Sequence, residues 1–342
     1  MPNSWLFAAD RGGTFTDLIG IDPQRQIHTR KLRSLSPAYD DAVVAGIRQM
    51  LKLTAEQSIP AERIATLRIG TTVATNALLE RKGESTALLI TGGFGDLLEI
   101  GNQSRPDIFA LAIEKPDQLY QQVGEVTERL DASGNLLTPL DEQPVIDQLE
   151  KWQAAGIRAI AVALMHSWIN PVHELRVGAL AAQAGFKQIS LSHHCMRLIK
   201  LVNRAQTTLV DAYLSPVLLR YVNQLQQALG AVPLEFMQSS GGLTDTTAFT
   251  GKEAVLSGPA GGVVAVAQLA EQHPQLIGFD MGGTSTDVCR YGGQFEYRHE
   301  VTTAGIAYHA NMLQIETVAA GGGSILGFDG QRMTVGPESA GA

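Results

Sequence analysis

Two copies of an eight-residue motif rich in carboxylate, glycine and hydroxyl groups start 270 residues apart in this chain. The first is Asp10-Arg-Gly-Gly-Thr-Phe-Thr-Asp17 and the second is Asp280-Met-Gly-Gly-Thr-Ser-Thr-Asp287, with six of eight positions identical. Each copy follows a short apolar run, at 5–9 and at 276–279. An internal repeat indicates duplicated structure. We therefore expect two related halves, each offering a strand, a glycine turn and a second strand to one shared ligand.

The residue types of the motif suit phosphate binding. Paired glycines permit positive φ and leave no side chain between the turn and a ligand, so their N–H groups can converge on phosphate oxygens. Hydroxyl groups add donors beside them. The predicted phosphate-binding residues are Arg11, Gly12, Gly13, Thr14, Thr16 and Asp17 in the first copy and Gly282, Gly283, Thr284, Thr286 and Asp287 in the second. A plain β-hairpin with a glycine turn needs no second copy, so the repetition favours ligand binding.

The leading carboxylates, Asp10 and Asp280, are the predicted catalytic residues. Each stands at the end of a predicted strand, from where it could hold a hydrated Mg²⁺ through water or orient an attacking nucleophile. Two such hairpins facing each other would clamp a polyphosphate from both sides.

Alternating strand and helix patterns position these motifs. Strands are predicted at 5–10, 17–22 and 26–33, followed by a helix over 38–53 with one apolar face. The further predicted elements are a strand at 66–70, a helix at 72–81 closed by Gly83, strands at 86–91 and 157–165, helices at 142–155 and 204–229, the latter bent at Pro216, a strand at 234–238 and a helix opening at Ser257. This order predicts an α/β fold of duplicated domains.

Composition describes a globular chain with an acidic surface. The formal net charge is -8, which argues against a nucleic-acid partner, and 44% of the residues are hydrophobic. Cys195 and Cys289 have no metal-type spacing and are expected to be reduced. The longest apolar stretch, 159–165, is far too short for a membrane span, and no signal peptide is recognisable. We expect a cytoplasmic protein with no membrane partner.

The two motifs resemble the phosphate motifs of the actin-like ATPase superfamily. That resemblance implies two duplicated ribonuclease-H-like domains joined by a helix of small residues, which Ser257–Ala267 matches. We expect a first domain at 1–256 and a second, incomplete domain at 257–342. The boundary used by the family could instead lie near 230.

Within that superfamily the chain resembles the hydantoinase A/oxoprolinase family. The matching segments are 10–17, 70–81, 101–107, 212–216, 256–262, 278–287, 317–324 and 335–341. Arg11 favours the 5-oxoproline branch, because hydantoinases usually carry another residue there. The resemblance implies ATP-driven opening of the 5-oxoproline lactam to glutamate, a step of glutathione metabolism, with Mg²⁺ and commonly K⁺. Phosphorylation of the lactam oxygen would activate an otherwise inert amide.

Weaker signals point to the substrate. The segment containing Thr71, Thr72 and Asn76 combines a strand end, hydroxyls and a helix start, which can hold the substrate carboxylate, although Thr71 or Thr72 could equally be a helix N-cap. Arg105 is a candidate carboxylate clamp or a surface arginine.

Two further groups are expected to be structural. His166, His173 with Glu174, and the pair His193–His194 lack strong metal spacing. The glycine-rich loop 319–324 is expected to form a wall of the cleft rather than a phosphate cradle.

The resemblance implies that family members extend beyond the residue matching Ala342 into an adenosine-binding motif, and that those of the 5-oxoproline branch add a hydantoinase-B-like half. We therefore expect this chain alone to bind ATP weakly, to need the missing half or a hydantoinase-B-like partner, and to self-associate through exposed sheet. The alternatives are an ATP-dependent hydantoinase, a ketone carboxylase subunit, a non-catalytic nucleotide-binding module and an inactive fragment.

Overall fold

The computed structural model describes residues 4–54, 56–103, 108–112, 115, 117–271, 273–283, 285–318 and 320–340. The strands are β1 Trp5–Arg11, β2 Phe15–Ile21, β3 Ile27–Arg33, β4 Ile64–Thr71, β5 Thr86–Thr91, β6 Gln122–Val126, β7 Arg129–Leu130, β8 Leu136–Thr138, β9 Ala159–Ala163, β10 Gln188–Leu191, β11 Leu234–Met237, β12 Leu243–Asp245, β13 Leu276–Met281, β14 Thr286–Tyr291, β15 Tyr297–Thr303, β16 Ile306–Leu313, β17 Ile315–Val318, β18 Ser324–Phe328 and β19 Met333–Ser339. The helices are α1 Ala42–Leu51, α2 Val73–Leu79, α3 Leu97–Ile100, α4 Glu142–Ala154, α5 Val172–Gln183, α6 Ser192–Cys195, α7 Leu201–Leu229 and α8 Ser257–Gln268.

The first sheet carries the first motif. Its strand order is β12-β11-β4-β1-β2-β3, in which β1, β2 and β3 form an antiparallel meander and β1, β4 and β11 run parallel. Alternate residues of β1 (Trp5, Phe7 and Ala9) are buried. Helix α1 packs on the meander with Val43 and Ile47 fully buried. The period-two pattern therefore fixes which face of β1 meets the core and which carries Asp10.

The strands of a second sheet lie between α2 and α7 in the sequence. The sequence analysis did not predict that they form a separate sheet. Its order is β10-β9-β5-β6, and all its strands are parallel. Every residue of β5 and β9 is buried, as expected when both faces of a parallel sheet are covered. Trp152 of α4 and Leu180 of α5 contribute to the core on one face, while α7 packs on the sheet from the other side.

Helix α7 connects the parts of the fold. It runs for 29 residues through Pro216 and packs against β9, β10, α2 and β16. Gly83 does not end the preceding helix as predicted, because the left-handed residue there is Arg81, with φ 54°. The absence of a side chain at Gly83 is required instead by Tyr213, whose ring a Cβ would approach to 2.1 Å.

The second motif lies on a smaller sheet with the order β13-β14-β17. Helix α8 packs on β13 and β14, and the hairpin β15–β16 packs on α7. Within the described part of the chain β13 pairs only with β14, whereas β1 lies between β2 and β4. The side chains of Ile277, Phe279 and Met281 are exposed along one face of β13.

Candidate functional site

Both motifs form the β-hairpins that the sequence predicts. In the first hairpin (β1–β2) Asp10 is the register partner of Asp17, and in the second hairpin (β13–β14) Asp280 is the partner of Asp287. The turns close in the same way. The Gly12 N–H donates to the Phe15 carbonyl at 3.0 Å and the Gly282 N–H donates to the Ser285 carbonyl at 2.9 Å. Each turn thus presents its carboxylate pair at equivalent positions.

The turn glycines do not have the positive φ that the sequence analysis expected. Gly12, Gly13, Gly282 and Gly283 do not have positive φ. A Cβ on Gly12 would instead lie 2.8 Å from the Phe15 carbonyl oxygen, closer than real Cβ contacts. Close backbone approach, rather than a left-handed conformation, therefore selects glycine at this turn.

Asp10 lies where the two halves meet. A Cβ on Gly258, the second residue of α8, would be 3.3 Å from its Oδ1, and a Cβ on Gly70 would be 3.4 Å away. Desolvation by the surrounding protein raises the pKa of Asp10, the nearby Asp17 and Asp280 carboxylates raise it further, and Lys31 opposes them. The structure therefore brings the two predicted catalytic carboxylates into one electrostatic site.

The partner carboxylates differ between the hairpins. Asp17 pairs with the Nζ of Lys31 at 2.7 Å and is half exposed. Burial raises the pKa of Asp287, and Asp280 adds to this, while a 2.6 Å hydrogen bond from the Thr317 hydroxyl lowers it. Asp10 thus interacts with Asp17 and Asp280, and Asp287 interacts with Asp280, so the two hairpins bring like charges near one another.

The hydroxyls of Thr16 and Thr286 are not available to a ligand, contrary to the prediction. Thr16 has no exposed surface and its Oγ1 lies 3.0 Å from the Ser34 Oγ. Thr286 is buried and donates to the Ala320 carbonyl at 2.6 Å. Both side chains lock the hairpins to neighbouring segments. Thr14 and Gly13 are exposed at the first turn, and Thr284 lies outside the described residues.

Arg11 also departs from the prediction. Consecutive strand residues point to opposite faces, so its side chain leaves the face that carries Asp10. Its Nε lies 3.6 Å from Asp41 Oδ2, and its guanidinium carbon lies 4.8 Å from the Tyr221 ring centroid. Arg11 therefore belongs to the helix side of the first sheet rather than to the space between the hairpins.

The segment with Thr71, Thr72 and Asn76 packs directly on the first hairpin. Thr71 is fully buried, and its hydroxyl accepts a hydrogen bond from the Val73 N–H at 3.3 Å. The N–H of Thr72 donates to the Arg11 carbonyl at 3.0 Å, and its hydroxyl accepts from the Asn76 amide at 3.2 Å. A Cβ on Gly13 would lie 3.4 Å from that amide nitrogen. Arg105 lies outside the described residues.

The glycine-rich loop braces the second turn. The N–H of Gly322 donates to the Gly282 carbonyl at 2.9 Å, and the N–H of Gly323 donates to the Gly283 carbonyl at 2.7 Å. A Cβ on Gly321 would lie 2.6 Å from the Gly283 carbonyl carbon. The loop therefore supports the turn from behind, a role that only its three adjacent glycines signalled in the sequence.

Two of the four histidines considered as metal ligands, His173 and His193, form hydrogen bonds with buried glutamates. His173 pairs with Glu128 at 2.7 Å and His193 pairs with Glu174 at 2.6 Å. No group of three metal-ligating side chains occurs among the residues that the structure describes. The network also contains the fully buried Arg204, whose Nε donates to the Ser192 hydroxyl at 2.8 Å. Sequence reasoning missed Glu128 and Arg204, because neither lies in a recognisable motif.

No helix in the described parts of the chain combines the length and the apolar character needed to cross a bilayer. Cys195 and Cys289 are free thiols, as predicted.

Comparisons with known proteins agree with this architecture. The profile of the hydantoinase/oxoprolinase N-terminal region matches residues 6–185, and the hydantoinase/oxoprolinase profile matches residues 204–342. The chain is 46% identical to 5-oxoprolinase 1 of Arabidopsis thaliana over 98% of its own length, but spans only 29% of that protein.

Two solved structures share the fold. The ATP-dependent caprolactamase of Pseudomonas jessenii superposes with a TM-score of 0.81 at 31% identity, over 98% of this chain and 51% of that one. The nucleotide-free acetone carboxylase superposes with a TM-score of 0.80 at 23% identity, over 99% of this chain and 51% of that one. With both profiles matching and the fold shared, the chain belongs to the hydantoinase/oxoprolinase family.

Proposed function

We propose that this chain is the part of an ATP-dependent amide hydrolase that phosphorylates the lactam oxygen of 5-oxo-L-proline, leading to L-glutamate. The observation that supports this most is the pairing of two equivalent hairpins, whose leading carboxylates Asp10 and Asp280 interact. The relative named 5-oxoprolinase 1 and the structure named caprolactamase both point to a cyclic amide as the substrate class.

The scaffold that we propose is that of an actin-like ATPase with two duplicated ribonuclease-H-like domains. The strand order β3-β2-β1-β4-β11, with only β2 antiparallel to its two neighbours, supports this for the first domain. We place the division before α8, since β11 and β12 complete the first sheet. The second domain is represented by β13, β14 and β17, whose hairpin repeats the first.

The reaction begins with ATP held between the two turns. The lactam oxygen attacks the γ-phosphorus, the bond to the β-phosphate oxygen breaks, and ADP leaves. Water adds to the resulting imidate carbon, and the ring C–N bond breaks with a proton passing to nitrogen. This gives an acyl phosphate, which a second water hydrolyses to glutamate and phosphate. The chain's contribution is to position the phosphates with turn N–H groups and to hold Asp10 and Asp280 beside the transferred group.

The metal that we propose is a hydrated divalent cation held by Asp10 and Asp280. Asp10 and Asp280 are exposed carboxylates whose mutual repulsion contributes to the raised pKa of Asp10, and a cation between them would relieve it. Mg²⁺ is typically held by one or two carboxylates, phosphate oxygens and water, so two side chains suffice. When bound, the ion would neutralise charge on the transferred phosphate.

We further propose that a second polypeptide, or additional sequence, completes the enzyme. The relative named caprolactamase subunit alpha implies another subunit in that enzyme, and the chain spans 50% of it. A hydantoinase-B-like protein is the partner expected from the family resemblance.

The test is ADP release by the chain, alone and mixed with a hydantoinase-B-like protein, with 5-oxoproline, hydantoin, acetone and caprolactam supplied in parallel. We expect 5-oxoproline to stimulate ADP release most and to yield glutamate in equal amount. Stimulation by another acceptor instead, or turnover that no acceptor changes, would contradict the proposed substrate.

A further inference from the structure

A lysine completes a row of polar side chains that begins with Asp10. Asp10 is the register partner of Asp17 on β2, and Asp17 is the register partner of Lys31 on β3. Directly opposite residues of antiparallel strands point to the same face of a sheet, with their Cβ atoms about 5 Å apart. Lys31 therefore lies on the face of the first sheet that carries Asp10.

The second hairpin carries a matching row that ends in a hydroxyl group instead. Asp280 is the register partner of Asp287, and Asp287 is the register partner of Thr317 on β17. The Thr317 hydroxyl donates to Asp287 at 2.6 Å, in the position where Lys31 contacts Asp17. Each row has two carboxylates, and the rows differ in the third residue. The duplicated site is therefore unequal in charge, with a cation built into its first half.

Lys31 is oriented by its neighbours and remains accessible. Its Nζ lies 3.0 and 2.7 Å from the two carboxylate oxygens of Asp17, and 5.4 Å from the centroid of the Phe15 ring. The side chain of Lys31 is 59% exposed and that of Asp17 is 53% exposed. An exposed ion pair contributes about 1 kcal/mol or less to stability. The ammonium group can therefore contact another anion at little cost to the fold.

The charge of Lys31 acts on the predicted catalytic carboxylate. It lowers the pKa of Asp10, against the desolvation and the like charges that raise it. A phosphate that approached Asp10 and Asp17 alone would meet two groups that, when ionised, only accept hydrogen bonds. Lys31 supplies both the positive charge and the donors that phosphate oxygens need.

From these observations we propose that Lys31 binds the phosphate that is transferred in the reaction, with Asp17 orienting its Nζ, so that the first hairpin is the phosphate side of the cleft. Only the identity of that phosphate, the γ-phosphate of ATP, rests on the proposed function. Lys31 contributes charge and hydrogen bonds and exchanges no proton. Asp17 is then a positioning residue, rather than the phosphate ligand predicted from the motif.

Isothermal titration of the full chain with tripolyphosphate and Mg²⁺ tests this without an adenosine site. We expect saturable binding by the parent chain. Lys31→Met should weaken it about tenfold or more, since a hydrogen bond to a charged group contributes about this factor. Lys31→Arg keeps the charge and should stay within about threefold of the parent. Neither variant should lower the unfolding temperature appreciably, because the pair with Asp17 is exposed.

Arg33→Met is the matched control for a general field effect. Arg33 is exposed on the same strand and the same face, opposite Phe15, and its side chain has no hydrogen bond or ion pair with the described residues. At about 0.15 M salt the field of a charge is screened within about 8 Å. Arg33→Met should therefore change the affinity about threefold or less, whereas the loss in Lys31→Met should be larger.

A double-mutant cycle with Asp17→Asn separates phosphate contact from simple neutralisation of Asp17. If Lys31 contacts phosphate, Lys31→Met should weaken tripolyphosphate binding about tenfold in the Asp17→Asn background as well. If Lys31 only neutralises Asp17, Lys31→Met should have no effect once the Asp17 charge has been removed.

Unchanged affinity in Lys31→Met, equal losses in Lys31→Met and Arg33→Met, or a loss confined to the parent background would overturn the inference. The same holds if the parent chain shows no saturable tripolyphosphate binding, which would also contradict the phosphate-binding role of the hairpins. Weaker binding in Lys31→Met, together with parent ADP release that 5-oxoproline does not stimulate, would support the phosphate contact and contradict the proposed substrate. Stimulation of ADP release by 5-oxoproline at the parent rate in Lys31→Met would remove Lys31 from phosphate binding and leave the proposed function intact.

Discussion

Gly258 leaves the space that the carboxylate of Asp10 occupies, since a Cβ there would lie 3.3 Å from Oδ1. A methyl group at this distance obliges Asp10 to shift. We expect Gly258→Val to reduce 5-oxoproline-dependent ADP release about tenfold or more, because misplacing a reacting group by a fraction of an ångström is costly. The measurement is kcat/KM for ATP.

Gly262 supplies the control on the same helix, because a Cβ there meets no atom within 4 Å. Gly262→Ala should retain activity and gain about 0.5–1 kcal/mol of stability from helix propensity. Equal loss of activity in Gly258→Val and Gly262→Ala would refute the role of the Asp10 contact.

Asp10→Asn should stabilise the protein at neutral pH. The pKa of Asp10 is raised in the folded state, so the folded state binds the proton more tightly, and stability falls as pH rises through the folded-state pKa. The amide abolishes that penalty. Thermal unfolding should show a higher midpoint for Asp10→Asn than for the parent at pH 7, with the difference vanishing below the ordinary aspartate pKa. A lower midpoint at pH 7 would contradict this account.

Gly321→Ala should displace the second turn, because the new methyl group would lie 2.6–2.7 Å from Gly283 backbone atoms. Overpacking of this kind costs about 1–3 kcal/mol. Gly322→Ala is the neighbouring control, with its nearest contact at 3.8 Å. Urea unfolding should separate the two variants, and indistinguishable midpoints would show that the loop does not brace the turn.

Glu174→Ala should destabilise the fold by about 3–5 kcal/mol, because it removes the carboxylate that accepts the hydrogen bonds of a buried network. Burial alone would raise the pKa of Glu174, but hydrogen bonds from His193, Ser192 and the amides of Leu164 and His193 outweigh it and hold that pKa low. Its stabilisation is therefore full at neutral pH and disappears as pH falls through the folded-state pKa.

Glu142→Ala removes an exposed pair with Arg176 and should cost about 1 kcal/mol or less. The comparison of Glu174→Ala with Glu142→Ala by chemical denaturation at pH 7 checks the network. Similar losses in both variants would argue against it.

Local patterns predicted much of the fold. The strand predicted at 5–10 and the helices predicted at 142–155 and 204–229 lie within a few residues of β1, α4 and α7. The inserted parallel sheet was missed as a unit, because a continuous apolar run such as 159–163 does not reveal its neighbours.

The sequence predicted the backbone of the site, which is the two β-hairpins, but only some of the contacts made by its side chains. Motif identity places Asp10 and Asp280 at equivalent positions of two β-hairpins, yet it cannot show that Thr16 bonds to Ser34 or that Arg11 turns toward Tyr221. Those contacts depend on which face of the strand a side chain occupies and on residues far away in the sequence.

The most direct test of the central claim is 5-oxoproline-dependent ADP release by Asp10→Ala and Asp280→Ala, measured with the hydantoinase-B-like partner present. Each substitution should lower turnover by at least about 10²-fold, since each removes a group that orients the metal or the nucleophile. Asp329→Ala, which removes an exposed turn carboxylate bonded to the Arg332 N–H, is the control and should match the parent. Near-normal turnover in both hairpin variants would contradict the proposal that the paired hairpins carry out phosphoryl transfer.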